Sequence, residues 1–416
     1  MSAARSAIIE HIVDQYFDEA SFLWTQRDAA VTSSYYSLQE LTYADNRVEA
    51  HIDGLRVAGE HGWGLCEAGL DPDDPGTVFT SAVIAFENGD ENKIKMVVDA
   101  ASESYAAFRA AVSGLGWMET RQFNSSITAL VSHKSRRHRR LAIAACGIRR
   151  INPRAYLDQA IRSSDVFLKA TALNTAGVIK RMDLLPLLQD HLHHEDPACR
   201  FAAAKSALLL GDRSALDTLG VFVLSKSKFT HTALQFALRV ADAQTARNWL
   251  QSLAKKPGQR RTLITAIGIT GDPVYLPMLL KQMETPELAR LAGATLSLIT
   301  GIDLVSNRLD TNRPESFRAG PGDDPDDANV AMDADEDLPW PDIQRVTEWW
   351  QQNNGSFTAG KRYLSGSPVT QESCLQILNS GNQQHRYAAS LEIALASPEA
   401  AFVNTKTPGF RQVTGF

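Results

Sequence analysis

DPACRFAAAKSALLLGDRSALDTL, residues 196–219, reads as one helical hairpin. Its first part is an alanine-rich amphipathic segment that ends at Gly211. Small residues let two helices approach closely, and glycine takes the left-handed conformation that ends a helix. Asp212 follows and can cap the next helix, which opens a Leu-rich segment. A single hairpin of this kind cannot bury its own apolar face, so neighbours must stack on it.

The same unit recurs. Gly147, Gly177, Gly211, Gly271 and Gly301 close comparable segments, with successive gaps of 30, 34, 60 and 30 residues. The double gap holds a cryptic member, FALRVAD, with Ala241 where a glycine should stand. Aspartate follows three of the six positions, as Asp212, Asp242 and Asp272. In one Leu-rich half, Leu184, Leu185, Leu187, Leu188 and Leu192 recur at helical spacing. Arginine keeps the same beat: Arg140, Arg200, Arg260 and Arg290 are 60, 60 and 30 residues apart. Equal spacing in a repeat array predicts a repeated ion pair with acids one turn away, such as Asp196 and Glu287; the competing reading is an anion-binding stripe.

These residues resemble a HEAT repeat of the short, PBS-lyase-like kind, over roughly residues 135–301. The resemblance implies an all-α fold, a HEAT-like α-solenoid of stacked helical hairpins. A second likeness is narrower. Trp24, Arg27, Asp28, Ala29, Asp45, Arg47, His51, Asp53, Gly54, Gly59, Trp63 and KRYLSGSPVTQE (361–372) are similar to an uncharacterised bacterial HEAT-repeat family. Members of that family are often associated with type VI secretion gene clusters, a link of gene neighbourhood and not of mechanism.

The flanks divide the 416 residues further. Residues 1–120 form an N-terminal helical cap region: Ile9, Ile12, Val13, Tyr16, Phe17 and Ala20 follow one helical stripe. Residues 121–301 are the HEAT-like repeats, 302–340 an acidic linker inserted before the last segment, and 341–416 a C-terminal helical segment. Between Asp323 and Asp337 stand eight acids and no base, which predicts a solvated linker. The net charge is −6, so without those eight acids the remainder carries +2 and is nearly neutral. PDIQRVTEWWQQN (341–353) carries a helix-start signal, two further helices follow it, and the end of the chain reads as an extended tail.

Composition excludes several classes. Four scattered cysteines with no CxxC pair fit a reducing compartment and argue against a disulfide framework or structural zinc. Glu10, Asp14 and Asp18 interrupt any signal-peptide core, and the longest uncharged apolar-rich stretch, Leu291 to Ile302, is too short to span a bilayer, which needs about 20 residues. The expectation is a cytoplasmic protein with no membrane contact.

The candidate sites are few. KSRRHRR, with Lys134, Arg136, Arg137, His138 and Arg139, is the densest positive charge; it suits an acidic partner, phosphates or the chain's own acidic linker. It has no aromatic residues interleaved to stack on bases, which weighs against nucleic acid. Trp349 and Trp350 read as one buried and one half-exposed ring, or as a partner-facing anchor. DHLHHED (190–196) offers i, i+4 ligand pairs on a continuous helix, yet stands where the repeat demands a polar turn; no metal is assigned there. DADED (333–337) lacks the glycine and distal glutamate of a calcium loop, and HGWGLCEAG (61–69) is not a phosphate cradle. Arg47, His51 and Asp53 read as helix-end hydrogen bonding. With no catalytic constellation and no cofactor motif, the chain reads as a non-enzymatic protein-interaction scaffold. The family likeness implies an adaptor, chaperone or immunity-type factor whose partner is a secretion-system component or effector. The alternatives are a HEAT-type nucleic-acid binder using residues 134–140, and an enzyme whose polar pocket is built across repeats.

Overall fold

The computed structural model describes residues 10–315, 317–320 and 332–412. Ile9, Asp323, Asp324, Asp326, Asp327 and the last four residues of the expected tail lie outside them. The described residues form 22 α-helices and two minimal antiparallel ribbons, so the fold is all-α. The chain divides into two compact units: residues 1–215 with 379–390 and 396–416, and residues 216–378 with 391–395.

The first unit opens with α1 (Glu10–Ala30), α2 (Leu38–Ala58), α3 (Glu60–Gly69), α4 (Pro75–Asn88), α5 (Glu91–Ala100) and α6 (Tyr105–Trp117). It continues with α7 (Thr120–Val131), α8 (Arg136–Arg149), α9 (Ala155–Ile161), α10 (Val166–Val178), α11 (Leu185–Gln189) and α12 (Pro197–Leu209). α4 packs on α6, α6 on α8, α8 on α10 and α10 on α12, while α7, α9 and α11 each pack on the helix that follows. The stripe expected in α1 is real: Val13, Phe17 and Ala20 are buried and the acids between them are exposed. α4 is buried from Gly76 to Phe86, and its Phe79 ring stacks on Trp24 at 4.8 Å and meets Trp117 edge-on at 5.3 Å.

The second unit holds α13 (Ala215–Val223), α14 (Thr230–Val240), α15 (Ala243–Ala254), α16 (Arg260–Thr270), α17 (Leu276–Gln282) and α18 (Pro286–Thr300). Here α14 packs on α16 and α16 on α18, with α15 and α17 as their odd partners. Strand β1 (Asp310–Thr311) pairs with β2 (Trp340–Pro341), α19 (Ile343–Asn353) follows, and β3 (Tyr363–Leu364) pairs with β4 (Ser367–Pro368). The last helices are α20 (Gln371–Ser380), α21 (Gln383–Ala396) and α22 (Gly409–Gln412).

The capping residues work as local chemistry dictates. Asp242 accepts from the amides of Gln244 and Thr245, Asp196 from Cys199, and Asp342 from Arg345. The glycine beat has two physical meanings. Gly211, Gly271 and Gly301 do take positive φ, of 93°, 69° and 74°. Gly147 and Gly177 do not end their helices. α8 and α10 run past them, and Arg150 and Lys180 occupy the left-handed positions instead, each with φ of 57°. A Cβ on Gly177 would lie 2.4 Å from the Ser206 hydroxyl, so that glycine is required by the approach of α12 to α10.

Returning chain covers many of the helix C-terminal ends, where carbonyls lack intrahelical partners. In the first unit Arg411 donates to the carbonyls of Gly116 and Met118 at the end of α6. Asn404 donates to Ile148 O in α8, Arg150 donates to Phe402 O at 2.7 Å, and Lys180 donates to Leu209 O at the end of α12. The expected tail is therefore a docked strap as far as Gln412. Gly409 N–H donates to the fully buried Asp45, which also holds Arg27 at 2.7 Å. In the second unit the β3–β4 hairpin does the same work: Tyr363 N–H donates to Gly271 O, and Ser365 and Gly366 donate to Leu298 and Ile299. Arg362 adds bonds to Thr270 O and Arg239 O and an ion pair with Glu392. Several residues of the narrower family likeness, Trp24, Arg27, Asp45 and the 361–372 segment, thus stand at structural fastenings.

Candidate partner-binding surface

α8 begins unusually. Four arginines and one histidine fill its first five positions, and no acid stands in its first turn. The N-terminal end of a helix carries partial positive charge, so each cation there costs about 0.3–1 kcal/mol when exposed. His138 turns inward with the apolar residues Leu141, Ala142 and Ala145 and is buried. Its ring stacks on His133 at 4.0 Å, and its Nδ1 has no partner. Burial and the neighbouring His133 push its pKa down to about 4.

The arginines divide by neighbour. Arg137 meets Asp99 at 3.2 Å, and Arg139 donates to the carbonyls of His133 and Lys134. Arg140 lies over the Phe108 ring at 3.7 Å and over Phe167 at 5.2 Å, between α6 and α10. Burial lowers its pKa, opposed by nearby Asp165 and Tyr105. Lys134 and Arg136 are exposed, and Arg136 forms no ion pair among the described residues. Tyr105 and Phe167, at the starts of α6 and α10, are 73% and 64% exposed. Aromatic rings therefore do accompany the basic segment, brought by the fold from residues some 30 positions to either side. The local sequence showed none of this. The available signal was an aromatic in the first turn of each neighbouring helix.

A cavity of about 300 Å³ opens on the other flank of the same turn, between α8 and α9. Arg136, Arg139, Tyr156, Gln159, Ser163 and Ser164 line it above a floor that includes Ile143 and Leu168. No acid is among its lining residues.

The second unit presents arginines in a different state. Arg261, in the first turn of α16, makes a two-pronged pair with Asp335 at 2.7 and 2.5 Å. Arg290 of α18 is buried, holds Asp333 at 2.5 Å and donates to Asp335 O at 2.7 Å. The Trp340 and Phe317 rings lie 4.6 and 5.4 Å from its guanidinium. The expected solvated linker is thus a docked segment over these residues. Burial works against ionised Asp333, but hydrogen bonds from Arg290 and the Asp335 amide outweigh it and hold the carboxyl below its usual range. The arginine beat is no ladder of one repeated contact either. Arg140 meets rings, Arg200 donates to the carbonyls of His194 and Glu195, Arg260 is exposed and Arg290 holds the acidic segment.

The other candidates resolve simply. Trp349 and Trp350 of α19 are both half-buried, and Trp350 lies 5.6 Å from the Phe357 ring; neither is a fully buried ring. α11 ends at Gln189, so DHLHHED is not a continuous helix and its i, i+4 pairs are not formed. His194 Nδ1 accepts from the Asp196 amide, and its Nε2 lies 3.3 Å from Lys169. Asp53 pairs with Arg56, and the His51 ring rests 5.9 Å from Tyr16. Burial pushes the thiols of Cys66, Cys146 and Cys199 up to about 12 and Cys374 to about 11, which makes them inert. Asp45 is a carboxyl raised by burial, but it is sealed beneath Gly409 and held by Arg27. No described helix is long and apolar enough to cross a membrane. Set against known proteins, the chain matches no family model, no curated protein and no solved structure.

Proposed function

We propose that this protein is a non-enzymatic scaffold that binds another protein on a HEAT-like α-solenoid. The stacking of even helices on even helices within each unit supports the solenoid reading. The observation that carries the binding role is the exposed Phe167 ring over Arg140 of α8, with the exposed Tyr105 near the same arginine. Exposed aromatics beside arginine have the composition of interface hot spots. Cations crowded at the unfavourable end of a helix lower its stability, a cost that makes sense when they meet a partner. The narrower family likeness adds the context of a bacterial secretion system, as an adaptor, chaperone or immunity-type factor in the cytoplasm.

The test is affinity purification of the tagged protein from its native cell, with nuclease treatment and mass spectrometry. A stoichiometric protein partner should survive nuclease and be lost from a Tyr105→Ala, Phe167→Ala variant that melts like the wild type. Capture unaffected by those substitutions would remove this surface from the account. The same aromatic–arginine pairing favours a second reading, single-stranded nucleic acid stacked on Tyr105 and Phe167. A steep fall of log K with log salt for an oligonucleotide would select it, since phosphate contacts release counterions.

A further inference from the structure

We infer that the cavity between α8 and α9 is a docking site for an acidic peptide segment of the partner, in which a carboxylate seats on Arg136 and Arg139 and an adjoining apolar side chain packs on the floor below. This rests on the scaffold reading and names the chemistry of what the scaffold holds. Three observations support it.

The lining is electrostatically one-sided. Two guanidinium groups stand at the cavity with no acid among the lining residues, and Gln159, Ser163 and Ser164 add neutral hydrogen-bonding groups. Arg139 spends Nη1 on two carbonyls, leaving its other N–H groups available, and Arg136 has no ion pair among the described residues. The N-terminal end of α8 adds its own positive potential, so an anion there relieves the repulsion among the cations.

The floor is apolar. Val131, Ile143, Ala160 and Leu168 lie beneath the polar rim, with the Tyr156 ring at the side. An inorganic anion would leave that floor uncovered, whereas a Leu or Phe beside the acid would cover it.

The molecule already contains the same recognition. On α16 and α18, Arg261 and Arg290 receive Asp333 and Asp335 from the chain's own acidic segment, with Phe317 and Trp340 packed on Arg290. An acid–x–acid segment with nearby aromatics is therefore a ligand that arginines early in these helices accept. The α8 arginines are of the same type and carry no such segment among the described residues.

The experiment is fluorescence anisotropy with the full chain and a short fluorescein-labelled peptide alternating Glu with Leu and Phe. The Glu→Gln version of that peptide and a single-stranded oligonucleotide are the comparison probes. The Glu peptide should bind, weaken as salt rises, and lose affinity by roughly tenfold or more when Glu becomes Gln. Arg136→Glu should cost at least as much, and Gln159→Trp, which fills the cavity without touching charge, should also abolish binding. Both variants should keep the wild-type circular dichroism, and neither should melt below the wild type. Equal binding of the Gln peptide, or binding that survives both substitutions, overturns the assignment, and so does an oligonucleotide that binds where the peptide does not. Partner capture from cells that persists in Arg136→Glu removes the docking site alone, because the scaffold reading is tested through Tyr105 and Phe167.

Discussion

The first turn of α8 and the starts of α16 and α18 use the same residue in opposite ways. In the second unit Arg290 is buried, and with Arg261 it is engaged by Asp333 and Asp335. In the basic segment at the start of α8, Lys134 and Arg136 are exposed, and among the described residues Arg137 alone of its cations pairs with a carboxylate, at 3.2 Å with both side chains well exposed. A buried arginine must keep its acid, because removing one partner strands the other in low dielectric. An exposed arginine contributes almost nothing to stability and is free to change partners. Arginines near helix starts thus build a fastening in one unit and an open surface in the other.

The largest expected effect comes from breaking the fastening. Arg290→Ala leaves Asp333 and the Asp335 carbonyl without their donor and removes the cation between Phe317 and Trp340. The loss should be about 3–5 kcal/mol, read from the urea midpoint of the second unit. Hydrogen exchange should rise in residues 332–341 while the first unit keeps its protection. If those residues stay protected, the segment is held by something other than its arginines.

Acid should separate the units next. His138 and His385, both in the first unit, are pushed down to about 4 by burial, and His133 adds to the effect on His138. Lys95 also disfavours the His138 proton and Asp99 favours it. A histidine whose folded pKa lies below its unfolded value stabilises the fold above the unfolded pKa, near 6.5, and loses that contribution as pH falls through the folded one. Each should cost up to about 3 kcal/mol across that window. Asp333 is depressed from a lower starting point, so its contribution is intact above about pH 4 and declines only below it. Between those limits the first unit should loosen while the docked acidic segment stays seated, as hydrogen exchange at two pH values would show. His138→Gln should flatten the response of the first unit.

Arg261→Ala comes third. Its side chain is 45% exposed, so solvent screens much of the pair, but Asp335 at 7% keeps few alternative partners. A loss of about 1–2 kcal/mol is expected in the same urea experiment.

The difference between the two regions also shows what a single chain reveals before it is folded. Helix periodicity, the capping roles of Asp196, Asp242 and Asp342, and the basic start of α8 depend on residues a few positions apart, so they are legible in sequence. The partners of the arginines are not. Arg261 meets Asp335 across 74 positions, and Asp45 meets Gly409 across 364. Composition marked the acidic run as solvated because it cannot show that two of its aspartates face arginines, one of them buried. The same limit hid Phe108 and Phe167 from the basic segment, and hid the crossing of α10 and α12 that requires Gly177. The cavity beside Arg136 draws on four successive helices, α7 to α10, and the turn between the last two, and no spacing rule would find it.

The smallest effect is also the one whose sign matters most. Arg136 is the first residue of α8, at the positive end of the helix, with three more arginines in the next four positions. An acid in that place interacts favourably with the exposed amides and with the remaining cations. Arg136→Glu should therefore raise the stability of the first unit, by about 0.3–1 kcal/mol in thermal or urea unfolding. A residue kept for stability would show a loss instead. The corresponding change at Arg290 should be severely destabilising, so the same charge reversal moves stability in opposite directions in the two units. If Arg136→Glu destabilises by more than about 1 kcal/mol, Arg136 is a structural contact like Arg290, and the open half of the comparison fails with it.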